Sequence, residues 1–403
     1  MKTVAEHKNE CLAAAKVLPP FEVTLADSVD CVLAQDVSSL VDVPQLDLAG
    51  RDGYAVNAAD TLGASEVNPV TFPVLEEVYA NYTDPVSIVA KTAIKISSGA
   101  PLPEGANAVV PIECTDGGEA QVTFNTAVSV GENVRARAED LASGQVILRQ
   151  GVRIASRQIA VLASAGHAAV LVRPKPRVVV LSIGDELQEP GRAAIRGKVF
   201  DANSHALASA AKDAGGQVFR VGAVPDDPRI LREAIEDQLV RADIIITTGG
   251  LSYGGGDTLK EVLSPLGSVR FDNVGIFPGR QLGVGKIGDT TIFCLPGAPA
   301  AALVSFEVFI RPALRQMAGY THIDRRAVKA RILKGWESPL GKREYVQARV
   351  VGAPGHGYTV EPIGNPGRPL LTGMARANCL IAVAEETRLV SVGEMVECIV
   401  IDR

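Results

Sequence analysis

The segment RVVVLSIGDEL, residues 177–187, joins a continuous apolar run to a polar turn. A short apolar run without alternation is typical of a strand that is buried on both faces. Similar runs recur at 217–222, 243–248 and 290–295. Helical segments separate or follow them at 204–214, 228–239, 258–263 and 298–317. Strands that alternate with helices predict a parallel α/β sheet, whose ligand sites lie beyond the carboxyl ends of its strands.

Polar segments follow three of these strands, at residues 182–187, 247–257 and 295–299. Glycines after a strand let backbone N–H groups approach an anion, and the N-terminus of a following helix adds positive potential. Thr248 and Ser252 are candidate hydroxyl donors to phosphate oxygens. The segments therefore indicate a phosphate site, although a glycine-rich loop after a strand is also an ordinary turn.

Carboxylates cluster at the same predicted strand ends: Asp185, Glu186, Asp226, Asp227 and Asp257. Several acids beside a phosphate loop suit Mg²⁺, which proteins bind through a few carboxylates, waters and substrate phosphates. Asp227 and Asp257 fit equally well as helix N-caps. The pattern leaves both interpretations open.

The rest of the chain predicts three further parts around the α/β domain, which spans residues 173–323. Residues 1–50 begin with a helix capped by Thr3 and Glu6, and 140–172 return to helix, so the two stretches are expected to form one N-terminal dimerisation domain. Residues 51–139 read as a small inserted β domain and 324–403 as a C-terminal β domain. The predicted fold class is α/β plus β, in an elongated multidomain subunit.

Composition excludes several classes of protein. With 47% apolar and 21% charged residues, the 403-residue chain is typical of a globular protein and not of a disordered one. A net charge of −6 argues against non-specific binding to nucleic acid or anionic lipid. The six cysteines are scattered singly, which argues against a zinc site and fits the reducing cytoplasm.

Two further motifs stand in glycine-rich settings outside the α/β domain: RDGYAV at 51–56 and SGAPLPEGANAVV at 98–110. Alone they read as turn chemistry. Together with Glu139-Asp140, residues 184–187, the loop at 248–257, Pro278-Gly279 and residues 295–297, they resemble in type and order the motifs of the MoeA/gephyrin family, the molybdopterin molybdenumtransferases. The resemblance spans nearly the whole chain.

This resemblance implies an elongated homodimer whose α/β domain binds adenylylated molybdopterin, with the active site completed by N-terminal regions of the second subunit. It implies a Mg²⁺- and molybdate-dependent cleavage of the nucleotide. The positions that match the family's catalytic residues are Asp52, Ser98, Asp140, Glu186, Asp226 and Asp257, of which Glu186, Asp226 and Asp257 would hold the metal. Those expected to bind the cofactor are Gly184, Asp185, Thr248, Gly249, Gly250, Ser252, Gly254, Pro278, Gly279, Arg280, Pro296 and Gly297.

The chain departs from the family pattern where the family binds molybdate. A family lysine is replaced by Phe277, a family arginine by Gln347 and a family serine by Arg368. Molybdate is a dianion that needs cationic or N–H donors. Two lost charge-assisted hydrogen bonds would weaken its binding by ~10²–10⁴-fold, an effect that Arg368 would partly offset.

A second interpretation follows from these departures. Gephyrin uses the same fold as a dimeric scaffold that binds a receptor tail, so the chain would bind a protein tail such as that of the cell-division protein FtsZ and be recruited to the division site. Two equivalent grooves on a dimer would give avidity for a polymer. Candidate groove residues are Arg343, Tyr345, Arg349 and Arg368, each of which also reads as part of a solvated strand face.

Overall fold

The N-terminal helix forms as its capping residues predict. The computed structural model describes residues 1–81, 84–251 and 258–402. Helix α1 spans Val4–Ala14, and the Thr3 hydroxyl accepts from the Glu6 backbone N–H while the Glu6 carboxylate accepts from the Thr3 N–H at 2.8 Å. The capping box satisfies two N–H groups that a helix start otherwise leaves unpaired.

Short strands are the main elements between α1 and residue 135. Those of the first 50 residues are β1 Phe21–Thr24, β2 Val32–Leu33, β3 Val37–Ser38 and β4 Leu48–Ala49. The inserted segment contains β5 Gly53–Val56, β6 Val70–Val78, β7 Ala93–Ile96, β8 Ala108–Pro111, β9 Gln121–Phe124 and β10 Val134–Arg135, with 3₁₀ turns at Ala58–Thr61 and Ile112–Cys114. Five of its strands form one sheet in the order β8-β5-β7-β6-β9, packed around Tyr54, Phe72 and Phe124.

Residues 140–172 are less helical than predicted. They contain β11 Val146–Leu148, α2 Ser156–Ser164 and β12 Ala169–Arg173. β12 joins β1 and β2 in a three-stranded antiparallel sheet, and β11 pairs with β3. Both stretches that flank the inserted segment thus contribute strands to the same sheets. Buried and half-buried residues alternate along β12, as in a strand with one face on a core.

The α/β part holds most of the helices. Its elements are β13 Arg177–Ile183, β14 Leu187–Gln188, β15 Val199–Phe200, α3 Ala202–Asp213, β16 Gln217–Arg220, α4 Pro228–Leu239, β17 Ile244–Gly249, α5 Thr258–Leu266, β18 Arg270–Asn273, β19 Ile276–Phe277, β20 Gln281–Ile287, β21 Thr290–Leu295, α6 Pro299–Ser305 and α7 Arg311–Met317, with a π-helical turn at Phe306–Ile310. Asp227 caps α4 by accepting from Arg229 N and Ile230 N, both at 3.0 Å, as its N-cap interpretation predicts.

The main sheet is mixed, whereas the sequence predicts a parallel one. Its order is β16-β13-β17-β21-β20-β18, and the first four strands are parallel. Only β20 runs against the other strands: it is antiparallel to both β21 and β18. A tight turn at Gly288-Asp289 links β20 to β21 and leaves no room for a crossover helix.

The C-terminal part is a closed β-barrel. Its elements are β22 Ala327–Ile332, β23 Trp336–Glu337, β24 Arg343–Ala353, β25 Gly357–Pro362, α8 Leu371–Arg376, β26 Cys379–Val383, β27 Leu389–Val390 and β28 Met395–Val400. The strands are ordered β24-β25-β22-β28-β26, and β26 pairs back onto β24. β19 of the α/β part pairs with β24, which joins the two parts through backbone hydrogen bonds.

One apolar core connects α1, the α/β part and the barrel. It contains Cys11 of α1, Phe306 and Phe309 of the last helical segment, and Tyr345 and Leu380 of the barrel. The cysteines are free, and five of the six are buried, as expected for small apolar residues. Among the described residues there is no helix with the length and hydropathy to span a membrane.

Candidate functional site

The polar segments predicted after the parallel strands meet at one edge of the sheet. β13, β17 and β21 are adjacent, and their register pairs Ser182 with Thr248 and Thr248 with Leu295. A Cβ placed on Gly297 would lie 3.6 Å from the Cα of Gly249. The turns that follow the three strands are therefore in contact, as the positions of the motifs predicted. We call Gly184, Gly249, Gly250 and Gly297 the glycine cradle.

Backbone geometry explains why the cradle needs glycine. Gly249 and Gly250 have φ angles of +87° and +65°, in the left-handed region. A Cβ on Gly249 would lie 2.2 Å from the carbonyl oxygen of Ile183, which no side chain tolerates. The cradle thus presents bare backbone at the strand ends, the kind of surface to which an anion can come close. Ser252 and Gly254, also predicted to bind the cofactor, lie outside the described residues.

Asn203, which was not among the predicted site residues, holds two turns of the cradle together. Its side-chain amide donates to the Thr248 hydroxyl at 2.9 Å and to the Gly297 carbonyl at 2.8 Å. The Thr248 hydroxyl in turn donates to the carbonyl of Pro296 at 2.8 Å and is almost fully buried. Thr248 therefore uses its proton within the fold, and its place in the cradle is structural. The sequence signal was a polar residue in the first turn of a helix that faces the strand ends.

The turn after β13 carries Asp185 and Glu186, and Asp226 is hydrogen-bonded to it. A Cβ on Gly184 would lie 2.5 Å from Glu186 Oε2, so the Glu186 carboxylate sits directly over the cradle glycine. Asp185 Oδ1 accepts from the backbone N–H of Asp226 at 3.2 Å, and Lys198 Nζ donates to the Asp185 carbonyl. Asp185, Glu186 and Asp226 are exposed. The structure thus brings these three predicted acids together at the cradle rim.

These acids fit a hydrated cation better than a closed metal cage. In the described part of the chain, one set of three His, Cys or acidic residues has ligand atoms within 4.8 Å of one another. It consists of His7 and Glu10 of α1 and Asp272 of β18, and includes none of these acids. Carboxylate oxygens open to water are nevertheless the donors that Mg²⁺ prefers, since it keeps several waters. Asp257, the third predicted metal ligand, lies outside the described residues.

A second group of predicted site residues includes Asp52 and Ser98, which are hydrogen-bonded to each other in the inserted segment. Asp52 Oδ1 accepts from the Ser98 backbone N–H at 2.7 Å, and the Ser98 hydroxyl lies 3.4 Å from the Gly50 carbonyl. Asp140 is exposed, and its backbone N–H donates to the Val43 carbonyl at 3.1 Å. Within the described residues of one chain, no hydrogen bond or ion pair joins these acids to the cradle.

Residues 277–280 pack between α6 and the barrel. Phe277 pairs with Glu344 of β24, and a Cβ on Gly279 would lie 3.6 Å from the Ser305 hydroxyl. Further along β24, Gln347 is 3% exposed, and its oxygen presses against Gly373 of α8. The hydroxyl of Ser305 and the amide nitrogen of Gln347 are buried without a described hydrogen-bond partner. Unpaired buried donors cost about 1–3 kcal/mol each, which a ligand or water accepting from them would recover.

The residues predicted for partner binding are only partly assembled. Arg343 and Tyr345 line a cavity of about 310 Å³ where α1, the π-helical turn at Phe306–Ile310 and the barrel meet. Tyr345 is 5% exposed, not a surface groove residue as predicted, and burial raises its pKa to about 12. Arg349 and Arg368 are exposed and do not line this cavity.

Comparison with known proteins gives three matches along the chain. Residues 2–166 match the "MoeA N-terminal region (domain I and II)", 179–316 match the "Probable molybdopterin binding domain" and 329–401 match the "MoeA C-terminal region (domain IV)". Molybdopterin molybdenumtransferase 2 of Mycobacterium tuberculosis is 36% identical over 98% of this chain and 99% of its own. The chain belongs to the MoeA family.

Further MoeA relatives agree over the full length. Molybdopterin molybdenumtransferase 1 of Mycobacterium tuberculosis is 34% identical over 98% of both chains, and the Staphylococcus aureus enzyme is 30% identical over 95% of this chain and 91% of its own. The solved molybdopterin biosynthesis MoeA protein of Pyrococcus horikoshii superposes with a TM-score of 0.83, with 28% identity and coverage of 99% of this chain and 98% of that one. The arrangement of sheets and barrel described above is thus that of the MoeA fold.

Proposed function

We propose that this chain acts in molybdenum cofactor biosynthesis as a molybdopterin molybdenumtransferase, cleaving adenylylated molybdopterin and inserting molybdenum, with release of AMP. The observation that carries the proposal is the glycine cradle, with Asp185, Glu186 and Asp226 at its rim. A diphosphate at the cradle would meet bare backbone on one side and the acids on the other. Whole-length similarity to molybdopterin molybdenumtransferases supports the same reaction class.

Each group of residues has a role in this proposal. The cradle binds the phosphates, and Asn203 keeps its turns at the spacing that this requires. Glu186 and Asp226 would hold Mg²⁺ through oxygens that are open to water. When bound, Mg²⁺ withdraws negative charge from the diphosphate. The cradle itself supplies a rigid, preorganised environment for that charge.

In this proposal, the second group of predicted site residues acts on the cradle of a second copy of the chain. Asp52, Ser98 and Asp140 have no described link to the cradle within one chain, yet they occupy positions that match catalytic residues of the family. We infer a homodimer in which these residues of one subunit complete the cradle of the other. Molybdate, the second substrate, would be held near Arg280 and by the unpaired donors of Gln347 and Ser305. Gln347 is neutral where the family pattern has an arginine, and Phe277 stands where it has a lysine, so we expect weak molybdate binding.

AMP release tests the reaction. Purified protein is mixed with adenylylated molybdopterin, Mg²⁺ and molybdate, and AMP is measured by chromatography. We expect turnover by the wild type and at least about a hundredfold loss in Glu186→Gln. Asp237→Asn, which changes an exposed acid on α4, should retain full activity. Equal rates in wild type and Glu186→Gln would refute the role of the rim acids.

A second candidate function rests on the cavity that contains Tyr345. Its wall combines apolar side chains, including Val308 and Leu380, with three cations and three acids: Lys8, Arg325, Arg343, Glu307, Asp324 and Glu397. We propose as an alternative that it receives an apolar side chain of a protein tail, such as that of FtsZ. The balanced charges favour recognition by apolar insertion over attraction of an acidic tail. Titration of the tail peptide against wild type and Tyr345→Ala tests this, and no binding at tens of micromolar would remove it.

A further inference from the structure

A second cavity has a net positive lining, although the chain as a whole is acidic. It has a volume of about 1050 Å³ and lies between α7, the segment 321–326 and the end of β28. Four arginines line it, against two acids, Asp324 and Asp402. Asp324 is also bound by Lys8 at 2.6 Å, so part of its charge is already compensated. The arginines are Arg311, Arg315, Arg325 and Arg326.

Hydrogen bonds to the protein hold three of these guanidinium groups in place and leave some of their N–H groups without an acceptor. Arg315 donates through Nε to the His322 carbonyl at 3.0 Å and lies 3.7 Å from the Tyr320 ring centre. Arg311 donates through Nη1 to the Ile323 carbonyl at 3.0 Å. Arg325 donates through Nε and Nη2 to the Glu307 carboxylate, at 2.9 and 3.0 Å. The remaining N–H groups of Arg311 and Arg315 have no acceptor among the described residues.

Carboxylates neutralise the positive charges of this cavity only in part. Arg315 and Arg326 form no ion pair with a described carboxylate, and Arg311 is 3.9 Å from Glu307, which Arg325 already binds with two hydrogen bonds. Burial, followed by the nearby cation of Arg325, lowers the pKa of Arg311 to about 10. An anion in the cavity would relieve this repulsion and accept charge-assisted hydrogen bonds from guanidinium groups that are already oriented.

The neighbouring cavity also has a positive lining, but two of its cations are paired with one acid. It has a volume of about 910 Å³, shares Arg315 and also contains Arg153, Lys175 and Lys212, against Asp30 and Asp213. Arg153 and Lys175 both pair with Asp30, at 2.5 Å and 3.6 Å. Arg311 and Arg326 line the cavity on the α7 side of Arg315 and not this one.

We propose that the cavity beside α7 binds the phosphate group of a small organic phosphate through Arg311, Arg315 and Arg326. Guanidinium groups match phosphate by paired N–H donors. Inorganic phosphate is much smaller than this cavity, whose size reaches the upper end of the 300–1,000 Å³ or so that small-molecule sites occupy. Apolar side chains of Ile323 and Val400 are available to the organic part. The proposal does not depend on the reaction at the cradle.

Calorimetric titration of the full-length protein tests the proposal, with phenyl phosphate, inorganic phosphate and phenol as probes at low salt. We expect phenyl phosphate to bind more tightly than inorganic phosphate, and phenol not to bind. Arg315→Gln and Arg326→Gln should each weaken phenyl phosphate at least about tenfold. Arg157→Gln, an exposed arginine on α2, should leave it unchanged. Circular dichroism and the melting temperature check that each variant is folded.

Two results would overturn the assignment. One is the absence of phenyl phosphate binding by the wild type at millimolar concentration. The other is binding that Arg315→Gln and Arg326→Gln leave intact, because the anion would then sit elsewhere, the glycine cradle included. Arg326 is exposed and makes no described side-chain contact, so its variant stays informative even if Arg315→Gln fails to fold.

Discussion

The side-chain amide of Asn203 lies 2.9 Å from the Thr248 hydroxyl and 2.8 Å from the Gly297 carbonyl, so one residue of α3 joins the turns after β17 and β21. These turns carry most of the glycine cradle. The Thr248 hydroxyl adds a direct hydrogen bond to the Pro296 carbonyl at 2.8 Å. The spacing between the two turns therefore depends on three side-chain hydrogen bonds, two of which the Asn203 amide donates.

Removing that amide should loosen substrate binding. In Asn203→Ala we expect the KM for adenylylated molybdopterin to rise about tenfold, with a smaller change in kcat, and the free energy of unfolding to fall by about 1–2 kcal/mol. Steady-state AMP release and urea denaturation measure the two effects. Ser209→Ala, on the exposed face of the same helix, is the matched control. An unchanged KM in Asn203→Ala would separate this residue from the site.

Adding one methyl group to the cradle should be costly. Gly249→Ala combines a φ of +87° with a contact of 2.2 Å to the Ile183 carbonyl, and we expect it to lower the free energy of unfolding by about 3 kcal/mol or more. Gly288→Ala has a φ of +57° but open space around it, and should cost only about 1 kcal/mol. Urea denaturation midpoints compare them. Equal losses would mean that the close approach to β13 is not needed.

His7 should make stability depend on pH. Burial lowers its pKa from 6.5 to about 4, so the folded chain keeps it neutral while the unfolded chain protonates it near 6.5. Between these values the unfolded state binds more protons. Stability is thus full above about pH 6.5 and falls as pH drops toward 4, by about 3 kcal/mol in all.

Denaturation at several pH values measures this effect. His7→Phe, which keeps a ring against Phe309, should flatten the wild-type slope between pH 6.5 and 4. His356→Phe, at an exposed position, should leave the slope as it is. A wild-type slope that survives in His7→Phe would assign the proton uptake to another group.

Restoring a cation should strengthen molybdate binding. Phe277 stands where the family has a lysine, in the segment that packs between α6 and the barrel. In Phe277→Lys we expect molybdate affinity to rise at least about tenfold, from one added charge-assisted hydrogen bond. Calorimetry measures it, with Phe200→Lys, on an exposed strand, as control. Binding that is strong only in the variant would favour the scaffold function, and no gain at all would place the oxyanion elsewhere.

Local patterns predicted the elements that carry the cradle. The run at 177–182 became β13, and the Asp227-Pro228 pair began α4 at the predicted residue. The glycine turns that follow predicted parallel strands also indicated that residues 184, 249 and 297 lie close together, because the carboxyl ends of such strands share one edge of the sheet. These signals lie within a few residues of chain and need no long-range information.

Other features depend on contacts between distant residues. Its position in the first turn of a helix marks Asn203 as a polar residue near the strand ends, but its bonds to two turns appear only in the folded chain. Nothing local marks Tyr345 as buried, since β24 pairs with β19 of another part of the chain. The reversed direction of β20 follows from a tight turn into β21 whose pairing only the folded sheet shows. The proposed meeting of Asp52 with the cradle would take place between two chains, so neither local patterns nor a single chain can show it.

Mixing two inactive variants tests the central claim most directly. Asp52→Asn and Glu186→Gln, each inactive alone, are unfolded and refolded together, and AMP release is compared with the wild type. If the site is built from two subunits, half of the dimers are mixed and each has one intact site, so we predict about a quarter of wild-type activity. Activity no higher than that of the separate variants would contradict a cradle completed by the second subunit.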